Sequence, residues 1–566
     1  MPLSEKDFVS KTTELKGLWN TRDTKIKAWY DLIRLTDTLA QTGMETVVSN
    51  DPKTGYNLGK HLLTSSIVAH KVDVEELNPT QIAGTAYIER FLTKRWAVED
   101  NRYRSMGRQS FKGNLIAFML ATGWYFMFSG VTDEKIMNEV WNPFECYPRF
   151  GSDGLVEHAH IYILTRAAAK RKCLLMEWPE PVPFPPTVTM RDYWGFDDNG
   201  DLVNGIMMGN KFVKPIEVDV AINKLIQETG ESYFPVFASP IGGLPDEGSI
   251  VGSKDWQSNF GESIVASNES LALNYNKMLS FTQQATRSAA HHRWYEKSAG
   301  DYEILKEQDM DKFGAIFRMG PNDDIGPLAP PPIPVELRTI MFEYGNMLQR
   351  GMFPAAVFGN VQQQMSYLAM ANVASASMQT LTPFNDAFEG GMSDIDNYIY
   401  QMLKVNRFNP YGFKMPQELP EDLRIEVTSD VEIPGYLIQR ATVARMLDPN
   451  FKLPTRVVMD KFFPEIRDPL KAMGESRKDA AMMHPKAIMA DQVIAYKEHA
   501  KYLHSINDAE AASLYEKLAA SIEAEIVGQP TQQQGVQPPN PAEQAIQNEA
   551  FPQRGAQAPM EGMGQI

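Results

Sequence analysis

The sequence predicts a mixed α+β fold for a chain of 566 residues. Three observations carry that prediction. Long stretches hold apolar residues at helical spacing, several segments rich in aromatic and β-branched residues are bounded by turn formers, and two helices flank a compact insert closed by prolines. Length is a soft guide to roughly three or four packed units.

In chain order, residues 11 to 40 predict an amphipathic helix through Leu15, Leu18, Trp19, Ile26, Trp29 and Ile33, and residues 78 to 112 read similarly. Gly123-Trp124-Tyr125-Phe126-Met127-Phe128 predicts a buried strand, and Asn142-Pro143-Phe144-Glu145-Cys146-Tyr147-Pro148 leads out of another. Residues 188–195 and Leu202 to Val213 flank Asp198-Asn199-Gly200-Asp201, where Asn-Gly supplies the positive backbone angles of a tight hairpin.

From Gly261-Glu262-Ser263 a helix is expected to carry Ile264, Leu271, Tyr275 and Met278 on one stripe. An insert follows, with Asp301–Leu305 and Ala315–Met319 as candidate short strands. It closes at Pro330-Pro331-Pro332-Ile333-Pro334. A second helix runs from about Val335 to Arg350. After it, Gly351 to Asn385 contains no Asp, Glu, Lys, Arg or His. That run exceeds the ~20 residues that cross a bilayer. Yet Gln362, Gln363, Gln364, Ser366, Asn372, Ser375, Ser377, Gln379 and Thr380 would all need partners in lipid, which argues against a membrane span. A long helix broken near Pro383 fits better, either packed between repeated neighbours around an axis or buried in a large domain. Residues 422 to 437 return to strand-like alternation, 438 to 447 read as helix, and from Pro485 an αα-hairpin is expected. Its arms carry Ile488, Val493, Ile494 and Tyr496, then Leu514, Leu518, Ile522 and Ile526, with a break near Asn507-Asp508. Beyond Gly528 the chain turns to Gln, Pro, Gly and Ala, a composition that predicts disorder.

Composition narrows the function classes. With 55 basic and 71 acidic residues the net charge is −16, which disfavours tight general nucleic-acid binding. It is compatible with a channel through which a polyanion slides, because each neutralised phosphate would strengthen binding and hinder movement. Two cysteines, Cys146 and Cys173, supply neither a disulfide framework nor a four-thiolate metal site. The N-terminus lacks the basic-then-apolar pattern of a signal peptide, so assembly is expected in the cytoplasm.

The search for chemistry returns no catalytic residues, no metal ligands and no cofactor motif. Gly55-Tyr56-Asn57-Leu58-Gly59-Lys60-His61 is one residue short of a P-loop, and His61 stands where Ser or Thr should hold magnesium. Asp197, Asn199 and Asp201 have calcium-loop spacing, but Leu202 and Met208 occupy the glycine and glutamate positions, so a hairpin turn explains them better. His158 with His160, His291 with His292, and His499 with His504 lack a third ligand and are expected at a surface or interface. Ser263 lacks the second glycine of a nucleophile elbow and reads as a helix N-terminal residue.

The order of these parts resembles the portal, or head-to-tail connector, protein of tailed bacteriophages. The resemblance rests on Gly261-Glu262-Ser263 opening a stem-like helix with Leu273-Asn274, the clip-like insert, and the helix from Val335. It continues through Gly351-Met352-Phe353-Pro354-Ala355-Ala356-Val357-Phe358-Gly359-Asn360, the helix interrupted near Pro383, Val431-Glu432-Ile433-Pro434-Gly435, and Phe463-Pro464-Glu465-Ile466-Arg467-Asp468-Pro469.

The resemblance implies a structural, non-enzymatic virion protein, assembled in the host cytoplasm as a ring of about twelve copies at one capsid vertex. Double-stranded DNA would pass through its centre without sequence specificity during packaging and ejection. Its partners would be the major capsid protein, the terminase packaging motor, and head-completion or tail adaptor proteins, with no membrane span. Residues 1–260 would form a wing, 261–292 and 333–350 the stem, and 293–332 a clip that offers Arg293, Trp294, Tyr295, Tyr302 and Arg318 to partners. Residues 351–363 would be a tunnel loop facing DNA with Met352, Phe353, Phe358, Asn360, Gln362 and Gln363, or packing between subunits. Residues 364–470 would hold the kinked helix and the wing return, 471–526 a helical crown, and 527–566 a disordered tail. Two other classes stay open: another ring-forming capsid or adaptor protein, and an unrecognised multidomain enzyme.

Overall fold

The computed structural model describes residues 4–40, 45–73, 79–151, 154–180, 185–243, 260–290, 293–298, 300, 319–328, 335–353, 379–420, 423–430, 458–459, 463, 469–505 and 509–527. The fold is α+β, and the chain divides into two units, Met1–Arg467 and Asp468–Ile566.

In the first unit, the helix expected over residues 11–40 is two helices, α1 (Glu5–Gly17) and α2 (Asn20–Ile33). The break has a cause in Trp19. Its side chain is buried and its indole N–H donates to the Pro148 carbonyl at 2.7 Å, which turns the chain at that point. α3 (Asp51–Ser65) follows, so the P-loop-like segment is plain helix. β1 (Ile67–Asp73) leads to α4 (Pro79–Ser105) and α5 (Phe111–Thr122). The expected helix over residues 78–112 therefore ends early and restarts at Ser110, whose hydroxyl accepts from the Gly113 N–H at 3.1 Å. α5 is apolar on nearly every side, so it carries no periodic signal to read, and it is buried.

Two antiparallel sheets complete the wing-like part. The smaller has order β3–β2–β9, from β2 (Trp124–Val131), β3 (Ile136–Val140) and β9 (Val236–Pro240). The larger is a meander of β4 (Cys146–Gly151), β5 (Gly154–Thr165), β6 (Thr187–Phe196), β7 (Leu202–Met208) and β8 (Lys211–Val218), with α6 (Arg166–Met176) inserted after β5 and α7 (Val220–Thr229) after β8. The expected β6–β7 hairpin is present. Gly200 has φ +84°, and the Asp197 carboxylate accepts from the Asn199 and Asp201 N–H groups at 2.8 and 2.9 Å. The strand expected over residues 202–213 is two strands, because a turn at Gly209 (φ +65°) separates β7 from β8.

α8 (Glu269–Ala290), β10 (Arg293–Lys297), β11 (Asp324–Leu328) and α9 (Val335–Arg350) follow. α8 does not begin at Gly261. Residues 261–265 are non-helical, and Ser263 Oγ donates to the Leu120 carbonyl at 2.8 Å, so Ser263 ties the chain to α5 instead of opening the helix. Gly261 (φ +80°) sits against Gly123 O and the Trp124 indole, with no room for a side chain.

α10 (Thr382–Asn406) buries Phe384, Phe388, Ile395, Ile399 and Met402. Pro383 lies in its first turn, so the described helix contains no internal proline break; residues 364–378 lie outside the described ones. β1 pairs antiparallel with β12 (Arg424–Asp430). The other edge of β12 is satisfied by α10. Glu389 Oε1, Ser393 Oγ and Asn397 Oδ1 accept from the Ser429, Val427 and Ile425 N–H groups at 2.6, 2.9 and 2.8 Å. Four helical residues advance about 6 Å and two strand residues about 6.7 Å, so side chains at i, i+4 and i+8 meet every second strand amide. The helix edge thus stands in for a missing strand. The residues 438–447 expected as helix, and the tail from 528, lie outside the described residues.

The second unit holds α11 (Pro469–Met482), α12 (Pro485–Ser505) and α13 (Ala509–Val527). The αα-hairpin is where it was expected, but its seam is not. Val493, Ala500, Leu503, Ala512 and Ala519 are buried, whereas Ile488, Ile494, Leu514 and Leu518 are exposed. Alanines let the two backbones approach, and the larger side chains are displaced outward.

Candidate functional site

The stem-like pair is built from the bottom by polar ties. Asn268 Nδ2 donates to the Leu348 carbonyl at 2.9 Å, Ser267 Oγ donates to the Gly351 carbonyl at 2.9 Å, and Thr282 Oγ1 meets Met341 Sδ at 3.0 Å. Residue numbers rise along α8 as they fall along α9, so the helices are antiparallel. Gly351 lies against Asn268, leaving no space for a Cβ. Residues 45–49 run along α8: the Val47 and Ser49 N–H groups donate to Ser280 Oγ and Asn276 Oδ1 at 3.0 and 2.9 Å, and Arg287 pairs with Glu45.

Beyond the helices, β10 and β11 form a two-stranded antiparallel ribbon with Arg293 opposite Leu328, Trp294 opposite Pro327 and Tyr295 opposite Gly326. Tyr295 lies over Gly326 and donates to Asp324 Oδ2 at 3.1 Å. Of the clip residues named from the sequence, Arg293, Trp294 and Tyr295 thus share one strand, while Tyr302 and Arg318 lie outside the described residues. So do the strand candidates 301–305 and 315–318; Met319 is described and is not in a strand.

Met352 and Phe353 are buried within the chain. They are 4% and 0% exposed, and they fill the face of α3 that two glycines leave open. A methyl at Gly55 would collide with the Met352 thioether, and one at Gly59 would sit 3.0 Å from Ile264 and 3.5 Å from Phe353. The glycine spacing that mimics a P-loop is a packing groove on a helix. Phe358, Asn360, Gln362 and Gln363 lie outside the described residues.

The expectation that His158 and His160 lie at a surface is overturned: they are 0% and 7% exposed. Trp141 stacks on both rings, at 5.5 and 4.1 Å. Burial, with His160 and Arg22 nearby, holds the His158 pKa well below its usual 6.5, and neither of its ring nitrogens has a hydrogen-bond partner among the described residues. Cys146 and Cys173 are free and buried.

A polar cluster that the sequence did not reveal lies around Asp396. This carboxylate is fully buried on α10, faces His70 Nδ1 at 2.6 Å and accepts from the Trp96 indole at 2.8 Å, with Arg95 at 3.7 Å. Burial lowers the Arg95 pKa to about 10. The cluster joins α10, β1 and α4 and is closed to solvent, which suits anchorage rather than turnover. Its four members are scattered over residues 70 to 396, so no local pattern announces them. Among the described residues, no group of three His, Cys, Asp or Glu could hold a metal ion, and no helix is long and apolar enough to cross a membrane.

No family model and no curated protein matches the chain. Among solved structures it is similar to the neck of a native GTA particle computed with C12 symmetry, at 11% identity and a TM-score of 0.40, covering 76% of this chain and 93% of that one. A likeness at that level settles neither fold nor function.

The outward surface of the α8–α9 pair is unusual for solvent-facing helices. Phe342 is 72% exposed, and Phe281 and Met347 are about half exposed. The stem-like helices are packed to each other and to residues 45–49 and still leave these large apolar side chains exposed.

Proposed function

We propose that this chain is a structural ring subunit of a tailed-phage-like particle, and specifically its portal protein. The observation that carries the reading is the antiparallel α8–α9 pair with a β-ribbon inserted between its helices and Phe281, Phe342 and Met347 left uncovered. Two helices cannot bury both of their flanks. Repetition about an axis supplies neighbours for the second flank of every copy. The order of sequence motifs that resembles portal proteins supports the same reading, with double-stranded DNA passing through the centre and capsid, motor and tail adaptor proteins as partners. The chain is then structural rather than catalytic. Burial of Met352 and Phe353 removes them from the proposed constriction, leaving that role to Phe358, Asn360, Gln362 and Gln363.

Native mass measurement and electron microscopy of the purified chain test the proposal. A ring of about twelve copies with a hole wide enough for duplex DNA is expected. A strictly monomeric particle across a range of salt concentrations would overturn it. Phe281→Glu with Phe342→Glu should abolish the ring while leaving the melting temperature of the protomer nearly unchanged.

A further inference from the structure

A groove of about 500 Å³ opens between α8, α9 and residues 45–49, lined by Val47, Leu279, Gln283, Thr286 and Met341, with the Glu45–Arg287 pair at one end. Its walls are fixed within the protomer. The Val47 N–H donates to Ser280 Oγ, which holds residues 45–49 on one side of α8, and Thr282 Oγ1 meets Met341 Sδ, which holds α9 on the other. At 3.6 residues per turn, Phe281 stands roughly 140 to 160° around α8 from Leu279, Gln283 and Thr286. It therefore leaves the helix on nearly the opposite side from the groove, at the same level, and is 51% exposed.

A second matched pair lies one turn away. Lys277 precedes Phe281 by four residues, so it shares that flank about 6 Å along the axis. It is exposed and has no ion pair among the described residues. On the groove side, the Ser49 N–H donates to Asn276 Oδ1, and Asp51 follows with its carboxylate on Ser49 Oγ and no cationic partner among the described residues. Asp51 is thus set near the level of Lys277, as Val47 is set at the level of Phe281. Cyclic repetition carries one copy onto the next with no rise along the axis, so with α8 lying along that axis the mating groups must sit at matching heights. In a ring of twelve the two flanks of a subunit face about 150° apart. Phe281 and Lys277 on one flank match the groove and Asp51 on the other in height, in order and in kind.

We propose that α8 is the joint of the ring: Phe281 of each copy enters the groove of the next, and Lys277 pairs there with Asp51 of that copy. The chain itself carries both halves of the match, which selects a second copy as the occupant. The proposal rests on the ring reading and adds the polarity of the contact. A two-fold contact would need the aromatic side chain and the groove on one flank, whereas they lie on opposite ones, so the joint is head to tail.

Photochemical cross-linking tests this on the full chain. With p-benzoylphenylalanine in place of Phe281, irradiation of the assembled particle should give covalent dimers and higher multimers on a denaturing gel. Mass spectrometry should place the attachment in residues 45–51, 279–287 or 341 of the neighbouring copy. Lys277→Asp and Asp51→Lys each set like charges together and should each weaken assembly by about tenfold or more, whereas the double exchange should restore it. Protomer melting temperatures establish that these variants are folded, and the cross-link does not depend on them. Rings that cross-link elsewhere or not at all, or a folded double exchange that assembles no better than the single ones, overturn the joint and leave the ring reading standing. So does attachment to a co-purifying protein in place of a second copy. A parent chain that forms no ring overturns both.

Discussion

Met352 and Phe353 show how a residue's neighbours decide its role. Both fill the groove over Gly55 and Gly59, so truncation to Ala should behave as a core deletion. A loss of about 3 to 5 kcal/mol is expected for Phe353→Ala and about 2 to 5 kcal/mol for Met352→Ala, read as a lower urea midpoint. A packaging defect with undiminished stability would contradict this placement. His158 gives a second residue-scale outcome. Its unfolded-state ring gains a proton as pH falls through about 6.5, whereas the buried ring resists protonation until much lower. The unfolded state then binds more protons, so stability is kept above about pH 6.5 and lost below it, by at most about 1.4 kcal/mol per pH unit. Because neither ring nitrogen has a partner among the described residues and Phe126 and Trp141 lie beside the ring, His158→Phe should flatten that slope between pH 7 and 5 without lowering stability at pH 7. Parallel urea-midpoint profiles for the two proteins would refute the assignment.

The Glu389, Ser393 and Asn397 row on α10 makes an element-scale prediction. Asn397 both accepts from the Ile425 N–H and donates to the Ile425 carbonyl, each at 2.8 Å. Asn397→Ala leaves two groups at a largely covered strand edge without partners, at a cost of about 1 to 3 kcal/mol. Hydrogen exchange at the Ile425 amide should accelerate while the β1-paired amides of β12 hold. Uniform exchange across the strand would mean that α10 is not its edge cover. Helix boundaries belong to this scale too. The spacing of apolar residues announced α4 and α9 and the α12–α13 hairpin, yet it ran α1 and α2 together because Trp19 is apolar in either case. Only its bond to the Pro148 carbonyl, 129 residues away, turns the chain there.

For the whole molecule, the tail composition predicts that removing residues 529–566 leaves the melting temperature and any ring mass unchanged, since that stretch holds too few apolar side chains to offset the entropy of ordering it. A marked drop in melting temperature would show that the tail packs.

Local chemistry was readable in this chain: the Asn-Gly turn, the strand from Trp124, the Val335–Arg350 helix and the α+β class follow from spacing and turn residues within a short window. Such signals depend on neighbours in sequence, which every copy of the sequence shares. The tertiary structure alone decided which apolar faces found a partner. Gly55 and Gly59 became a groove for Met352 and Phe353, His158 went into the core, and Asp396 met His70 and Trp96 across some 300 residues. In the same way the larger side chains of α12 and α13 yielded the seam to alanines, and two leucines of α6 were left facing outward. Packing selects among faces by shape and by which polar groups can be satisfied at once, and those conditions exist only when distant segments are brought together.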